Sequence, residues 1–229
     1  MPLASKICVS IATTGDVSLL KEQADRAFSL GADFAEIRFD FVSPNRMHAA
    51  IETVREIRSK AVFTLRSKNQ GGKFAGSEQE RIEWLKKLAE QKPMLLDVEL
   101  DTIKENDELA DFLEKTPILV SWHDFQQTPP SDELEDILSE MSIYSNYVKL
   151  VTTAKSVEDS LRLLELYEST TGLHPVIFAM GDAGIVSRIL CTIVGNAPFT
   201  YTSLEKAVAP GQLTVKQMRK LYDRIASGT

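Results

Sequence analysis

Two residues of this sequence have the chemistry needed for covalent activation of a ketone. Lys149 lies in the apolar segment YVKLV, and His123 follows the apolar residues of VSWHDF. A lysine that points into an apolar interior is partly desolvated, which favours the neutral amine that attacks a carbonyl carbon. A histidine accepts and returns protons near neutral pH. Taken singly, a surface lysine and a hydrogen-bonded histidine at the edge of the fold are the simpler interpretations.

Four further charged residues have side chains suited to a small polar ligand. Glu36 and Arg38 are two positions apart in EIRF and therefore point to the same side of a strand. Arg66 and Arg188 carry planar guanidinium groups, which match a carboxylate or two neighbouring hydroxyl groups. An internal ion pair and solvated surface arginines are the alternatives for these residues.

The elements that would position these residues are short and regularly repeated. Eight β-rich apolar segments recur at intervals of roughly 20 to 30 residues. We predict strands at 7–11, 34–39, 61–65, 94–100, 117–122, 147–151, 175–180 and 199–204. Amphipathic segments with helical spacing lie between them, among them 18–31, 78–91, 132–144 and 156–169.

Strict alternation of strand and helix predicts parallel strands joined by right-handed crossovers, and eight such repeats close a barrel. The predicted fold is therefore α/β, a (β/α)8 TIM barrel, with residues 1–229 forming a single domain. A doubly wound open sheet is the second candidate, and the lack of a GxGxxG motif after the first strand counts against it.

Residue types at the expected helix ends agree with this division. We predict N-caps at Asp16, Ser77, Ser131 and Ser156, because their side chains accept hydrogen bonds from the first turn of a helix. Gly31 is predicted to end the first helix.

The fold prediction gives the charged residues a common location. The active site of a TIM barrel lies where the strands end and the loops to the helices begin. Five candidates fall at or near these strand ends: Glu36, Arg38, Arg66, His123 and Lys149. Chance would rarely gather so many charged groups there, so the sequence predicts a polar site at this end of the barrel.

The composition narrows the possible partners. A net charge of -7 and a pI near 5.1 leave no broad basic surface for nucleic acid. No apolar run approaches the roughly 20 residues that span a membrane, and the first residues do not resemble a secretion signal. We therefore expect a cytoplasmic protein that binds neither nucleic acid nor membrane. Cys8 and Cys191 lie in apolar segments without metal-ligand spacing, which predicts two buried thiols.

Several motifs that span nearly the whole chain occur in a recognisable order. They are EIRFD (36–40), TLRS (64–67) followed by GG (71–72), SWHDF (121–125), YVKLVTTA (147–154), FAMGDAGIVSR (178–188) and APGQ (209–212). The series resembles the type I 3-dehydroquinate dehydratase family, and several motifs in register are more specific than any one of them. The resemblance implies a (β/α)8 barrel, commonly a homodimer, that uses neither a metal nor an organic cofactor.

The reaction that the resemblance implies is the removal of water from 3-dehydroquinate to give 3-dehydroshikimate, in the shikimate route to aromatic compounds. Lys149 matches the family's Schiff-base lysine, and His123 matches its proton-transfer histidine. The substrate contacts that the resemblance implies are Ser10, Glu36, Arg38, Arg66, Arg188 and Gln212. Of these, Arg188 would clamp the substrate carboxylate, and Gln212 would approach from a closing loop.

Two positions depart from the pattern of the family. Gln70 stands where a glutamate would precede the Gly-Gly pair, and Val208 stands where a serine would precede APGQ. A glutamate there would orient and stabilise a charged histidine, whereas a glutamine carries no charge. Asp97 or Glu99, near the end of the fourth strand, is a candidate to replace it.

Two other functions remain open from the sequence. A class I aldolase or transaldolase also uses a barrel lysine, but a convincing glycine-rich phosphate site is missing from the last loops. A binding barrel descended from the enzyme would explain Gln70 and Val208, but it would not require Lys149 and His123. A purely structural domain is the weakest alternative, because buried charges cost stability without a ligand or a partner.

Overall fold

Eight parallel strands form the centre of the molecule in a computed structural model that describes residues 5–13, 15–205 and 211–228. They are β1 (Ile7–Ile11), β2 (Phe34–Arg38), β3 (Ala61–Thr64), β4 (Leu95–Glu99), β5 (Ile118–His123), β6 (Tyr147–Thr153), β7 (His174–Met180) and β8 (Thr200–Ser203). Each predicted strand is present, with small differences at the ends; β6, for example, continues beyond residue 151 to Thr153.

The strand order defines the fold. Neighbours follow the order β7-β6-β5-β4-β3-β2-β1-β8, and β1 pairs in parallel with both β2 and β8. The sheet therefore curls into a barrel, which confirms the predicted (β/α)8 architecture and excludes the doubly wound open sheet. Within the described residues, β7 and β8 form no ladder of hydrogen bonds, so one seam separates these two strands.

Helices occupy the connections between the strands. In the described residues they are α1 (Leu19–Ser29), α2 (Met47–Thr53), α3 (Glu78–Glu90), α4 (Leu100–Lys104), α5 (Asp107–Leu113), α6 (Ser131–Ser142), α7 (Val157–Glu165), α8 (Ile185–Leu190) and α9 (Val215–Ser227). Their apolar faces and the outward-facing strand residues form the larger of two apolar clusters. No helix in the described ranges is long and apolar enough to cross a membrane.

The helix ends confirm most of the predicted caps. Ser77 and Ser156 are N-caps with capping boxes, and Gly31 adopts a positive φ of 99° directly after α1. The N-cap at Ser131 is wrong, because this residue already belongs to α6 and Pro130 precedes it. The N-cap at Asp16 is also wrong: its side chain accepts from the backbone of Ser18, but α1 begins at Leu19, and Ser18 directly precedes the helix as its N-cap.

The lumen of the barrel changes character along the strands, because alternate residues of each strand point inward. Its lower layer is apolar and includes Cys8, Val62, Leu95, Leu119, Val176 and Phe199. The residues two positions later in four of these strands are polar and buried: Ser10, Thr64, Asp97 and Ser121. The predicted buried thiols, Cys8 and Cys191, are confirmed. A polar layer thus lies above an apolar one, toward the carboxyl ends of the strands.

Candidate active site

A cavity of about 160 Å³ opens at the carboxyl ends of the strands. All eight predicted site residues line it: Ser10, Glu36, Arg38, Arg66, His123, Lys149, Arg188 and Gln212. Its remaining lining residues are Gln70, Gly71, Phe125, Val151, Phe178, Met180 and Tyr201. The fold therefore brings together residues that are far apart in the sequence.

Lys149 lies at the centre of the polar layer. It comes from β6, where Val148 and Leu150 point outward into the apolar core, and it is only 5% exposed. Its Nζ lies 3.1 Å from Oδ2 of Asp97 and 3.5 Å from Oε1 of Glu36. The burial expected from the sequence is therefore present, and two carboxylates neutralise the buried charge.

The two carboxylates beside Lys149 are both held in their ionised form. Burial alone would raise the pKa of Asp97, but the charges of Arg66 and Lys149 outweigh it and lower this pKa below its ordinary value. The pKa of Glu36 is lowered in the same way, against burial, by Lys149 and Arg38. Glu36 also accepts hydrogen bonds from Ser10 Oγ at 2.7 Å and from Thr64 Oγ1 at 3.0 Å.

Arg66 connects the carboxylates to the neighbouring strands. Its Nη2 lies 2.8 Å from both oxygens of Asp97, and its Nη1 donates to Ser121 Oγ at 2.6 Å. Ser121 in turn donates to Asp97 Oδ1 at 2.7 Å. Glu99 accepts from the backbone of Ser67 and from Arg81, each at 2.8 Å. Every charge in this group has a partner of opposite sign, which buried charges require.

Arg38 is held in position by Asp40, which follows β2 in the chain. Its Nε and Nη2 each donate to a carboxylate oxygen of Asp40 at 2.8 Å. The same carboxylate accepts from the backbone of Lys73 at 3.0 Å. This paired geometry fixes the direction of the Arg38 guanidinium group, which lies at the edge of the cavity.

His123 is uncharged in this environment. Burial lowers its pKa well below the ordinary value, and the nearby cations Arg66, Lys149 and Arg38 lower it further. Its ring stacks on Phe125, with centroids 5.8 Å apart, and its buried Nδ1 has no hydrogen-bond partner among the described residues. The imidazole is therefore in the form that accepts a proton.

The expectation that Asp97 or Glu99 replaces the missing glutamate beside His123 is wrong. Asp97 is engaged by Arg66, Ser121 and Lys149, and Glu99 is engaged by Ser67 and Arg81. Gln70 itself lines the cavity, and its Nε2 lies 3.4 Å from Asp101. Its buried Oε1 has no partner in the described part of the chain. Val208, the second departure from the family pattern, lies outside the described residues.

Arg188 reaches the cavity at the seam between β7 and β8. It is 2% exposed, its guanidinium carbon lies 4.1 Å from the ring centroid of Phe178, and its Nη1 is 3.4 Å from the main-chain oxygen of Tyr201. Burial lowers the pKa of Arg188 to about 10. No ion pair to a carboxylate is found for it in the described ranges. A buried cation without an acidic partner is a candidate binding site for an anion.

Gln212 enters the cavity through a tight backbone contact. Gly211, directly before it, has a φ of 70°, and a Cβ built there would lie 2.2 Å from the main-chain oxygen of Gly181. Only glycine fits this approach, and it brings the last loop against the loop that follows β7. Gln212 is thereby placed beside the seam.

Several residues that shape this site were not predicted from the sequence. Thr64 and Ser121 hydrogen-bond the carboxylates, while Phe125 and Tyr201 form aromatic walls beside His123 and Lys149. The sequence does carry a signal for Thr64 and Ser121, because each lies two positions before a predicted site residue, Arg66 and His123 respectively. A buried amine between carboxylates, a neutral imidazole and an arginine without an acidic partner are the groups that an enzyme working through a Schiff base needs.

Comparisons with known proteins identify the family. The model of the type I 3-dehydroquinase family matches residues 7–228. A 3-dehydroquinate dehydratase of Dehalococcoides mccartyi is 36% identical, covering 90% of this chain and 92% of that protein. One of Pyrococcus abyssi is 34% identical, with coverages of 95% and 99%. The crystal structure of 3-dehydroquinate dehydratase from Aquifex aeolicus has a TM-score of 0.81 at 29% identity, covering 96% of this chain and 98% of that one. The chain belongs to the type I 3-dehydroquinase family.

Proposed function

We propose that this chain removes water from 3-dehydroquinate to give 3-dehydroshikimate, with Lys149 as the Schiff-base residue and His123 as the proton-transfer residue. It is a hydro-lyase of the shikimate pathway. The residue assignment rests on three groups that line one cavity. They are the buried amine of Lys149, the neutral imidazole of His123 and the guanidinium of Arg188, which has no acidic partner in the described residues.

The first step joins the substrate to Lys149. The amine adds to the ketone carbon, and after proton transfers the ketone oxygen leaves as water, which gives a protonated imine. Asp97 and Glu36 lie 3.1 and 3.5 Å from Nζ. One of them accepts the ammonium proton and passes it to the departing ketone oxygen, and both carboxylates, ionised again, then stabilise the positive imine. The carboxylates that neutralise the lysine in the free protein therefore also serve the intermediate.

The second step breaks a C–H bond. His123 removes a proton from the carbon next to the imine, and the bonding electrons flow into the C=N bond to form an enamine. The enamine electrons then form a new C=C bond and restore the imine as the β-hydroxyl leaves, with the protonated histidine supplying the proton that makes it water. Hydrolysis of the conjugated imine releases the product ketone and the lysine amine.

The remaining lining residues hold the substrate in the proposed mechanism. Arg188 binds the carboxylate, because it is the buried cation that lacks an acidic partner. The groups proposed to hold the ring hydroxyls are Ser10, Glu36, Arg38 and Arg66, and Gln212 contacts the substrate from the last loop. A substrate that is held in the reacting geometry needs less activation free energy, and reactions of well-oriented groups show that this effect reaches several kcal/mol, on the order of 7 or more.

Borohydride trapping tests the assignment directly. The protein is incubated with 3-dehydroquinate and sodium borohydride, the modified peptide is mapped by mass spectrometry, and the conjugated product is followed by absorbance. We expect an adduct on Lys149 together with turnover. The matched control is Lys155→Ala, which removes an exposed lysine and should leave both signals intact. An adduct without turnover would favour a binding barrel, and turnover of a phosphorylated aldol substrate would favour an aldolase.

We also infer a cytoplasmic homodimer in which one face of the barrel is covered by a second copy. Val157 and Leu161 lie one helical turn apart on α7 and are 49% and 47% exposed, and Val194, which shares a surface pocket with Leu161, is 61% exposed. Sedimentation equilibrium should give a dimer that Leu161→Lys converts to monomer. Ile143→Lys, at an exposed site elsewhere, should remain dimeric. Cell fractionation checks the location.

The extent of the domain, residues 1–229, is likewise part of the proposal. A single cooperative unfolding transition that coincides in far-UV circular dichroism and tryptophan fluorescence would support one domain. Two separate unfolding transitions would instead indicate that the chain contains two domains.

A further inference from the structure

The hydroxyl group of Tyr201 is buried without a hydrogen-bond partner. The residue lies on β8, is 3% exposed, and its Oη has no partner among the described residues. Its ring is held on two sides by Phe199 and Phe178, with centroid distances of 5.6 and 6.1 Å. Because a buried unpaired hydroxyl costs free energy, a phenylalanine would be the more stable residue here unless the hydroxyl has another use.

Unpaired polar atoms of this kind are concentrated in the active-site cavity. Six buried side-chain atoms in the described ranges lack a partner: Ser5 Oγ, Gln70 Oε1, His123 Nδ1, Arg188 Nε, Tyr201 Oη and Thr202 Oγ1. Four of them belong to residues that line the cavity: Gln70, His123, Arg188 and Tyr201. This concentration is expected where polar atoms of a bound molecule complete the hydrogen bonds.

Tyr201 lies between the two groups that fix the ends of the reacting molecule. Its ring centroid is 4.6 Å from Nζ of Lys149, and its main-chain oxygen is 3.4 Å from Nη1 of Arg188. A substrate bonded to Nζ and clamped by Arg188 must therefore pass beside this ring. Burial, with smaller contributions from Glu36 and Cys8, raises the pKa of Tyr201 well above its ordinary value. The hydroxyl consequently stays protonated and available as a donor.

We propose that the Tyr201 hydroxyl donates a hydrogen bond to an oxygen atom of the bound substrate and so acts as a specificity-determining contact. This inference rests on the proposed roles of Lys149 and Arg188, which place the substrate beside the ring. The aromatic ring packs against the ammonium group of Lys149 in the free protein, and the hydroxyl adds a contact that exists only in the complex.

Tyr201→Phe tests the proposal because it removes one oxygen atom and keeps the ring beside Lys149. The free variant should unfold at the same temperature as the parent or a higher one, since no hydrogen bond is lost. Its kcat/KM for 3-dehydroquinate should fall roughly 3- to 10-fold, the effect of one neutral hydrogen bond. The rise in melting temperature that the ligand produces should shrink as well.

Tyr222→Phe is the matched control, and it should have the opposite effects on melting temperature and kcat/KM. The hydroxyl of Tyr222 lies outside the cavity, accepts a hydrogen bond from Thr192 Oγ1 at 2.8 Å, and donates one to the main-chain oxygen of Ile189 at 3.1 Å. This variant should melt at a lower temperature and keep its kcat/KM. The two substitutions are chemically identical, so the crossed pattern isolates the use of each hydroxyl.

Binding of the product identifies which substrate oxygen is contacted. 3-Dehydroshikimate keeps the carboxylate but lacks the hydroxyl that leaves as water. If Tyr201→Phe weakens product binding as much as it weakens kcat/KM, the contact is to the carboxylate or a retained hydroxyl. If product binding is unchanged while kcat/KM falls, the contact is to the leaving hydroxyl. Both results support a substrate contact.

Two results would overturn the inference. An unchanged kcat/KM in Tyr201→Phe would show that the hydroxyl does not touch the substrate, and a lower melting temperature of the free variant would show that it has a partner within the protein. Borohydride trapping of the parent separates these results from a failure of the proposed function. A parent without adduct or turnover rejects the lysine assignment, whereas a normal parent leaves only the role of Tyr201 in question.

Discussion

The two sides of the active-site cavity are built on different principles. On the side of β2 to β6, carboxylates and cations are paired: Asp97 is bound by Arg66 and Lys149, and Glu36 lies 3.5 Å from the same lysine. On the side of the seam between β7 and β8, Arg188 has no acidic partner in the described residues, and the Tyr201 hydroxyl has none of any kind. We refer to these as the paired side and the seam side.

The difference separates two tasks of an enzyme. The charges of the paired side are balanced before the substrate arrives, so they are already oriented toward the atom that becomes positive in the proposed intermediate. The seam side is incomplete, and its unsatisfied donors gain their partners only from a ligand. In the proposed mechanism, the covalent step at Lys149 thus depends on charges that the protein pairs itself, and substrate binding at the seam depends on Arg188 and Tyr201, which lack such partners in the described residues.

The largest expected effect removes the amine at the centre of the paired side. Lys149→Ala should lower kcat by about 10⁴-fold or more, because Lys149 is the one lysine among the described residues that line the cavity. Turnover measured by product absorbance, with borohydride trapping as a second signal, checks this. Turnover close to that of the parent would remove Lys149 from the mechanism.

Removal of the Asp97 carboxylate from the paired side should lower the free energy of unfolding. Asp97→Ala leaves Arg66 and Lys149 without their shared carboxylate, so we expect a loss of about 3–5 kcal/mol in the free energy of unfolding. Denaturant titration of the variant and the parent measures it. A loss near zero would mean that the pairs are not organised as described, and the distinction between the two sides would fail.

The corresponding change on the seam side should act on binding instead. Arg188→Met removes a buried cation without an acidic partner and keeps much of its volume against Phe178. We expect unfolding free energy to stay within about 1 kcal/mol of the parent, because an apolar residue replaces an uncompensated charge. KM should rise by about 10- to 100-fold, the effect of a charged hydrogen bond to a carboxylate. A large loss of stability with normal KM would assign Arg188 to the paired side.

The smallest expected effect concerns the pH dependence of kcat/KM. The pKa of His123 is lowered by burial and by Arg66, Lys149 and Arg38, so the histidine remains neutral as the pH falls through its ordinary value near 6.5. Since the neutral form takes the proton, kcat/KM should stay constant through pH 6.5 and decline only at lower pH. Gln70→Glu adds a negative charge to the same cavity and should move this decline to higher pH. A parent profile that already declines at pH 6.5 or above would contradict a neutral, buried base.

The barrel was predictable from the sequence because its signals are local. Apolar segments such as ICVSI and YVKLV fix the strands, and the i, i+2 spacing of Glu36 and Arg38 indicates which side chains share the lumen. The position of an N-cap depends on the exact path of the backbone, which is why the predicted N-caps at Ser131 and Asp16 are wrong. The cap lies two residues later than predicted at α1, where it is Ser18, and one residue earlier at α6, where it is Pro130.

The pairing within the site was not predictable in the same way. Asp97, Arg66 and Lys149 come from β4, from the loop after β3 and from β6, and their contacts depend on the closure of the whole sheet. The sequence suggests Asp97 only as a partner for His123, because the family pattern has a glutamate where this chain has Gln70. Tyr201 gave no signal at all, since an aromatic residue in a strand normally indicates core packing.

The contacts of the first strand with the last elements have a consequence for synthesis of the chain. One edge of β1 pairs with β8, and Arg219 of α9 donates to the main-chain oxygen of Gly31 and to Asp33, 188 and 186 positions away. A ribosome delivers β1 long before these partners. Until β8 is synthesised, one edge of β1 therefore lacks its partner strand, and an unpaired, apolar strand edge is prone to aggregation.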